Sequence, residues 1–203
     1  MLKPLLMLLL FLGPFSVWGQ GVLETESIRQ RLFDRIANRG SSGAVNPNIL
    51  EGTLGRVTDS ESVWVRIDDR REFRKWTYKL SKSSLSLPRQ EVRVWLEYVS
   101  PDRSISQGKE YNDWFRKKAA YELGKAFYNR GVQVEYEYSD VTYRLTGMVW
   151  SGKESLNLWL VKNGWSFYLL GEEPPPEHGD FLAAEKEAQR AGLGLWKPEL
   201  QKQ

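Results

Sequence analysis

Hydrophobic and polar residues alternate along residues 132–138 and again along 143–149, and this period of two predicts two β-strands with one buried face each. Gly147, inside the second strand, is typical of a bend or a close approach to a neighbouring backbone. A turn at 151–153 ends this strand, and apolar residues at helical spacing then predict a short helix that finishes before Gly164. The apolar positions of that helix are Leu156, Trp159 and Leu160.

The same kind of pattern predicts further elements nearer the N-terminus. Alternation runs through residues 49–57, turns at Asp59–Ser60 and returns through 63–67, which is the pattern of a β-hairpin. β-Branched and aromatic residues predict a strand over 91–100. Residues 108–130 carry one apolar stripe at helical spacing, so we expect a long helix that packs this stripe against the core.

The first 19 residues have the pattern of a secretory signal peptide. Lys3 precedes an apolar run at 5–17, which is shorter than the roughly 20 residues that a helix needs to cross a bilayer. We therefore expect cleavage after Gly19 and export to the periplasm or the medium, without stable membrane insertion; an uncleaved anchor is the alternative. Residues 20–48 hold a predicted amphipathic helix at 22–38 and a linker.

Composition and charge exclude some classes of function. The 184 residues left without the signal are enough for one folded domain. Cysteine is absent, which excludes disulfides and lipid attachment at an N-terminal cysteine, and the single histidine, His178, excludes a site built from several histidines. The net charge is +3, or +2 once Lys3 is removed, and this small surplus permits binding to nucleic acid without requiring it.

Positive charge is concentrated in one segment, residues 68–90, which is longer than a simple turn between strands. Basic and aromatic side chains interleave within it, and cations beside aromatic faces favour single-stranded nucleic acid, whose phosphates and bases they contact. The alternative is that the aromatic residues pack on the core while the charges stay in water. The residues that we assign to nucleic-acid binding are Arg70, Arg71, Arg74, Lys75 and Trp76.

Several motifs follow one another in order from residue 140 onward. Asp140 is followed four residues later by Arg144, and then come a hydrophobic strand, a Gly-Lys turn and the segment LNLWLVKNGW at 156–165. A helical segment at 181–196 ends in Gly-Leu-Trp. As an ordered set, these motifs resemble the staphylococcal nuclease family, whose members are also called thermonuclease-like domains.

The resemblance implies an α+β fold in which a five-stranded OB-fold barrel with flanking helices spans residues 49–198, and a short tail remains at 199–203. It also implies a site for phosphodiester chemistry. Arg144 and Arg93 match arginines that clamp the phosphate, although Arg93 matches only if one extra residue is allowed on its strand. Asp102 matches the general base of the family, with a side chain one carbon shorter.

Calcium is the cofactor that the resemblance implies, and its ligand set is incomplete in this sequence. Glu61 occupies one acidic position and Ser100 offers a backbone carbonyl, but Val99 stands where the family has a second acid. Because Ca²⁺ requires oxygen ligands, chiefly carboxylates, we expect weak binding. Glu97 precedes Val99 by two residues, and a local bulge would be needed to bring it into the site.

The sequence patterns and the family resemblance together predict an exported protein that binds single-stranded nucleic acid or another phosphodiester. The expected metal-dependent nuclease activity is weak or lost. Two alternatives stay open at this point: an active calcium-dependent nuclease, and an OB module that binds a protein partner without catalysis.

Overall fold

The computed structural model describes residues 48–101, 109–171 and 174–197. The predicted signal peptide at 1–19, nearly all of the segment 20–48, Asp102 and the tail at 199–203 lie outside these ranges, so their assignments stay predictions. The strands are β1 (Asn48–Leu54), β2 (Ser62–Arg66), β3 (Leu85–Ser86), β4 (Glu91–Leu96), β5 (Val99–Ser100), β6 (Gly131–Ser139), β7 (Arg144–Ser151), β8 (Glu154–Ser155) and β9 (Phe167–Tyr168). The helices are α1 (Arg70–Trp76), α2 (Lys109–Phe127), α3 (Leu156–Lys162) and α4 (His178–Ala191), with 3₁₀ turns at Lys82–Ser84, Leu87–Arg89 and Gly194–Trp196.

Five of the strands form a closed barrel. They are hydrogen-bonded in the order β4-β2-β1-β6-β7 with antiparallel neighbours, and β7 then pairs in parallel with β4. In this closing pair, Val94, Trp95 and Leu96 lie opposite Leu145, Thr146 and Gly147. The expected α+β fold, a five-stranded OB-like barrel with flanking helices, is confirmed.

Gly147 allows β6 and β7 to approach each other closely. A Cβ atom at this position would overlap the carbonyl oxygen of Glu135 on β6. Because every residue type except glycine carries a Cβ atom, the strand accepts only glycine at this position without a shift of the backbone. The role that the sequence predicts for Gly147 is therefore the one it has.

Alternation along β4 decides which side chains line the core and which lie outside it. Val92, Val94 and Leu96 are buried, whereas Arg93 and Trp95 between them are only half-buried. Successive side chains of a strand point to opposite faces of the sheet, so Arg93 and Trp95 share the outer face of the barrel. β4 thereby presents a cation and an aromatic ring side by side.

The strand expected over residues 91–100 is broken in the structure. β4 ends at Leu96, and Tyr98 adopts a left-handed conformation with φ of 61°. The Glu97 N–H donates to the Gly147 carbonyl of the barrel at 3.1 Å, and the Tyr98 carbonyl accepts from Leu169 N–H at 3.0 Å. The chain therefore leaves the barrel at this point, and β5 pairs with β9 in a separate two-stranded sheet.

Helix α1 occupies the basic segment between β2 and β4. Its N-terminus is capped by Asp69, whose carboxylate accepts a hydrogen bond of 2.7 Å from Arg71 N–H. Phe73 and Trp76 face the barrel and are buried, and the Trp76 ring packs edge-on against Tyr136 with centroids 5.2 Å apart. At 3% exposure, Trp76 offers no ring face on which a base could stack. The aromatic residues of α1 therefore pack on the core, as in the alternative that the sequence left open, while its basic residues stay exposed.

The other helices cover the barrel with apolar side chains. Phe115, Leu123 and Phe127 of α2 are buried, and the Phe127 ring meets Trp159 of α3 edge-on at 5.6 Å. Phe181 anchors α4. Within residues 48–101, 109–171 and 174–197, every helix is too short or too polar to cross a membrane.

Asn157 joins α3 to the closing strand pair of the barrel. Its fully buried side-chain amide accepts from Val149 N–H at 3.0 Å and donates to the carbonyls of Glu97 at 2.9 Å and Gly147 at 3.1 Å. The side chain therefore satisfies backbone groups just after β4 and within β7.

Replacing Asn157 by alanine is expected to lower the free energy of unfolding by about 3 kcal/mol, because Val149 N–H and the Glu97 carbonyl each lose a hydrogen bond to its side chain. Asn163→Ala in the same helical region is the control. The carbonyl of Trp159, which Asn163 contacts, keeps a second hydrogen bond, so we expect a loss of about 1 kcal/mol. Urea denaturation measures both values, and equal losses would contradict the role of Asn157.

Candidate functional site

Two arginines and one tryptophan meet on the outer face of the barrel, where β4 pairs with β7. Arg93 and Trp95 share a face of β4, and Arg144 is the first residue of β7, next to the residue paired with Val94. The guanidinium carbons of Arg93 and Arg144 each lie 4.5 Å from the centroid of the Trp95 ring. Twice this distance, 9.0 Å, is therefore the greatest separation that the two guanidinium carbons can have.

Contacts with the tryptophan ring offset the repulsion between the two positively charged arginines. Even at the greatest separation of 9.0 Å, two unit charges in water repel by about 0.5 kcal/mol, and a shorter separation raises this repulsion. An exposed cation–π contact stabilises a cation by about 0.5–1 kcal/mol. Trp95 makes such a contact with both arginines, so the ring offsets the repulsion and keeps both guanidinium groups on one surface.

Arg93 is held in place by the turn that precedes β2. Its Nε–H donates to Ser62 Oγ at 2.7 Å, and its terminal nitrogen donates to the Asp59 carboxylate. Asp59 also accepts hydrogen bonds from Glu61 N–H at 3.0 Å and Ser62 Oγ–H at 2.9 Å. With the Arg93 and Asp59 side chains 24% and 30% exposed, this ion pair is partly shielded from solvent. Arg93 is therefore fixed in orientation and partly neutralised.

Arg144 differs from Arg93 in having no acidic partner among the residues that the structure describes. Its side chain is exposed, and among the described residues it contacts no carboxylate; Asp140, four residues earlier, does not pair with it. A guanidinium group carries five N–H donors in a planar fork that fits phosphate oxygens. Arg144 is therefore the arginine of the pair that is ready to accept an anion.

The described residues do not form a calcium site. Asp59 is occupied by Arg93 and Ser62, which leaves Glu61 as the acidic side chain at the turn. Val99 is buried in β5, and Ser100 lies in the same short strand, paired with Phe167 of β9. Nowhere in residues 48–101, 109–171 and 174–197 do three acidic or histidine side chains gather around a place for a metal ion. This donor set is too poor in carboxylates for Ca²⁺, and the assignment of Glu61 and Ser100 as ligands stays a prediction.

The basic side chains of α1 lie near this site but are not part of it. Arg70, Arg71, Arg74 and Lys75 are all exposed. Lys75 is bonded to Glu72, and this hydrogen bond together with the carboxylate charge raises the pKa of the lysine above its usual value. The loop after α1 is attached to the barrel, because Ser81 N–H donates to the Tyr143 carbonyl at 3.1 Å, one residue before Arg144.

The structure brings together part of the site that the sequence predicts and adds two residues to it. Arg93 and Arg144 meet at the ring of Trp95, and Glu61 lies at the adjoining turn, where its carbonyl accepts from Leu96 N–H at 2.8 Å. Asp102, the expected base, falls outside the described residues. Sequence reasoning missed Asp59 and Trp95 as site residues, although the position of Trp95 two residues after Arg93 was a usable signal for a shared strand face.

Comparison with models of protein families gives a match over the second half of the chain. A model of the family described as staphylococcal nuclease homologue matches residues 97–198, just over half of the chain. Arg144 and Asn157 fall inside the matched region, whereas Asp59, Arg93 and Trp95 precede it. No curated protein matches the chain.

Replacing Trp95 by leucine is expected to shift the Nε–H NMR resonances of both Arg93 and Arg144, because both lie over its ring and lose the ring-current field. Arg56 is the internal control. Its guanidinium carbon lies 4.4 Å from the Trp64 ring instead, so its resonance stays in place. An unchanged Arg144 resonance in the Trp95→Leu variant would mean that the two arginines do not share one ring.

Proposed function

This chain belongs to the family of staphylococcal nuclease homologues, and from that membership we propose that it binds single-stranded nucleic acid through the phosphate groups, with metal-dependent nuclease activity that is weak or lost. Membership of the family indicates a nuclease or nucleic-acid-binding kind of function. The observation that carries the finer proposal is the position of Arg93 and Arg144, each 4.5 Å from the ring of Trp95.

Two arginines that lie on one surface fit the phosphate group of a phosphodiester. Arginine binds phosphate oxygens through parallel N–H···O bonds, and these charge-assisted bonds are roughly twice as strong as neutral ones. Arg144 is exposed and has no carboxylate partner within the described residues, while Arg93 keeps a fixed orientation through Asp59 and Ser62. A phosphate can therefore approach Arg144 first and contact Arg93 without reorganising the turn.

Exposed tyrosines next to basic residues in the sequence favour a single strand over a duplex. Tyr143, immediately before Arg144, is 54% exposed, and Tyr78, immediately before Lys79, is 92% exposed. Unpaired bases can stack on such rings, whereas the bases of a duplex are already stacked on each other. These tyrosines take the stacking role that the buried Trp76 does not fill.

Weak or lost catalysis follows from the donors that remain. A metal ion in phosphodiester cleavage acts as Lewis acid and as template, and both roles need carboxylates that hold the ion. The described residues offer Glu61 without a second free acid beside it, because Asp59 is bound to Arg93. The resemblance to the family leaves Asp102 as a base with a shorter reach, and a misplacement of about 1 Å can cost about 100-fold in rate.

Replacing Arg144 by alanine is expected to weaken binding of a fluorescein-labelled single-stranded DNA about tenfold or more, since a hydrogen bond to a charged group contributes about 1.5–3 kcal/mol. Lys153→Ala is the matched control. Lys153 lies in the turn that follows β7, at the end of the strand opposite Arg144 and roughly 20 Å from it. Its replacement by alanine removes the same charge. Fluorescence anisotropy at constant salt gives both dissociation constants, and an equal loss for the two variants would contradict a specific role for Arg144.

The same assay, run with calcium and with a chelator, separates binding from cleavage. We expect equal affinity in both conditions and at most slow cutting of the strand. Rapid calcium-dependent cleavage that Arg144→Ala abolishes would establish the active nuclease instead. Failure to bind any single strand would favour the protein-interaction module.

We also propose that the protein acts outside the cytoplasm, on the basis of Lys3 and the apolar run at 5–17. Expression of the full chain with its own N-terminus is expected to yield exported protein that begins at Gln20. Mass spectrometry of the exported and cell-associated fractions measures this. Full-length protein that keeps Met1 and stays with the cells would contradict cleavage.

A further inference from the structure

Helix α1 and the residues just before β4 enclose a hollow of about 490 Å³. Arg70, Arg74 and Thr77 line it on one side, and the 3₁₀ turn with Leu87 and Pro88 lines it on the other. Its volume lies in the range of sites that hold small ligands, which is roughly 300–1,000 Å³. This hollow shares no residue with the cluster of Arg93, Trp95 and Arg144.

Two of the residues that line the hollow carry a positive charge that no described residue pairs with. Arg70 and Arg74 are four residues apart and therefore lie on the same face of α1. Both are exposed, and neither forms an ion pair with any described residue. Arg71 and Lys75 belong to the same helix but do not line the hollow, and Lys75 is already bonded to Glu72. The four basic residues of α1 are thus not equivalent.

The chemistry of the two arginines fits a phosphate group. Each guanidinium group presents planar N–H donors and no acceptor, and such a fork binds phosphate oxygens through parallel N–H···O bonds. Gln90 lines the same hollow and immediately precedes β4. The hollow is therefore suited to the phosphate of a nucleotide unit.

The hollow is connected to the arginine pair by both elements that form it. Gln90 immediately precedes β4 and comes three residues before Arg93, so the two Cα atoms lie at most about 10 Å apart. The loop after α1 is bonded to β7 through Ser81 N–H and the Tyr143 carbonyl, next to Arg144. Short stretches of chain therefore join the two places, and we expect a strand of several nucleotides, unlike a dinucleotide, to reach both.

We infer that this hollow is a second phosphate subsite for the nucleic-acid strand held by Arg93 and Arg144, an inference that rests on the proposed function. Arg70 and Arg74 hold a phosphate several units along the strand. If the subsite is filled, the affinity depends on the length of the strand. Only Arg70 and Arg74, two of the four basic residues of α1, bind the phosphate.

The experiment compares two double variants of the full chain that remove the same charge from the same helix: Arg70→Ala with Arg74→Ala, and Arg71→Ala with Lys75→Ala. Alanine is the best helix former, so α1 is retained in both, which circular dichroism checks. The probes are a labelled single strand of about 12 nucleotides, within the usual site size of an OB fold, and a dinucleotide followed by NMR titration.

We expect the first double variant to bind the long strand about tenfold or more weakly, with a slope of log affinity against log salt that is smaller by about 0.7, as for one lost phosphate contact with a single strand. Its affinity for the dinucleotide stays unchanged. The second double variant loses clearly less affinity for the long strand.

Equal losses in the two double variants, or equal losses for the long strand and the dinucleotide, would overturn the subsite. If Arg144→Ala still weakens binding in that case, the proposed function stands and only the subsite fails. If the unaltered protein binds neither probe, the proposed function fails and the subsite fails with it.

Discussion

Parallel pairing of β4 with β7 is the constraint on which the rest of this structure depends. The two strands lie far apart in the chain, and their hydrogen bonds close the barrel. The pairing also sets Arg144 at the start of β7 beside the face of β4 that carries Arg93 and Trp95. Asn157 secures the other end of the same pair by binding the carbonyls of Glu97 and Gly147. Fold and site are therefore held by one set of contacts.

The electrostatic character of the site comes from an unequal treatment of its two arginines. Asp59 and Ser62 bind Arg93, which fixes the guanidinium group but offsets part of its charge. Arg144 lies over the ring of Trp95 and keeps its full charge at the surface, with no carboxylate partner among the described residues. An anchored cation next to a free one gives a surface that binds an anion with little reorganisation, which is the property that a phosphate-binding groove requires.

The break at Tyr98 sets the path of the chain after β4. The left-handed conformation of Tyr98 directs β5 to β9, so Val99 becomes part of a separate two-stranded sheet. Asp59, at the turn before β2, is bonded to Arg93. The path of the chain, as well as the residue types, therefore decides which side chains lie beside the arginines.

Much of the fold was predictable from the sequence, because strand alternation and helical spacing are local properties. The patterns at 132–138, 143–149 and 63–67 each correspond to a strand of the barrel, and the glycine at 147 has its predicted role. The ordered motifs also led to Arg93 and Arg144 as candidate members of one site. These features depend on residue types at fixed spacings, which the chain carries wherever it folds.

Only the tertiary structure decided which side chains meet. Burial of Trp76 against Tyr136, the shared ring of Trp95 and the ion pair of Asp59 with Arg93 all join segments that are separated in the chain. The break of the strand at 97–98 likewise follows from hydrogen bonds to Gly147 and Leu169, and no local pattern in 91–100 reveals them. Alternation along a strand predicts which residues share a face, whereas long-range packing decides which other segments that face contacts.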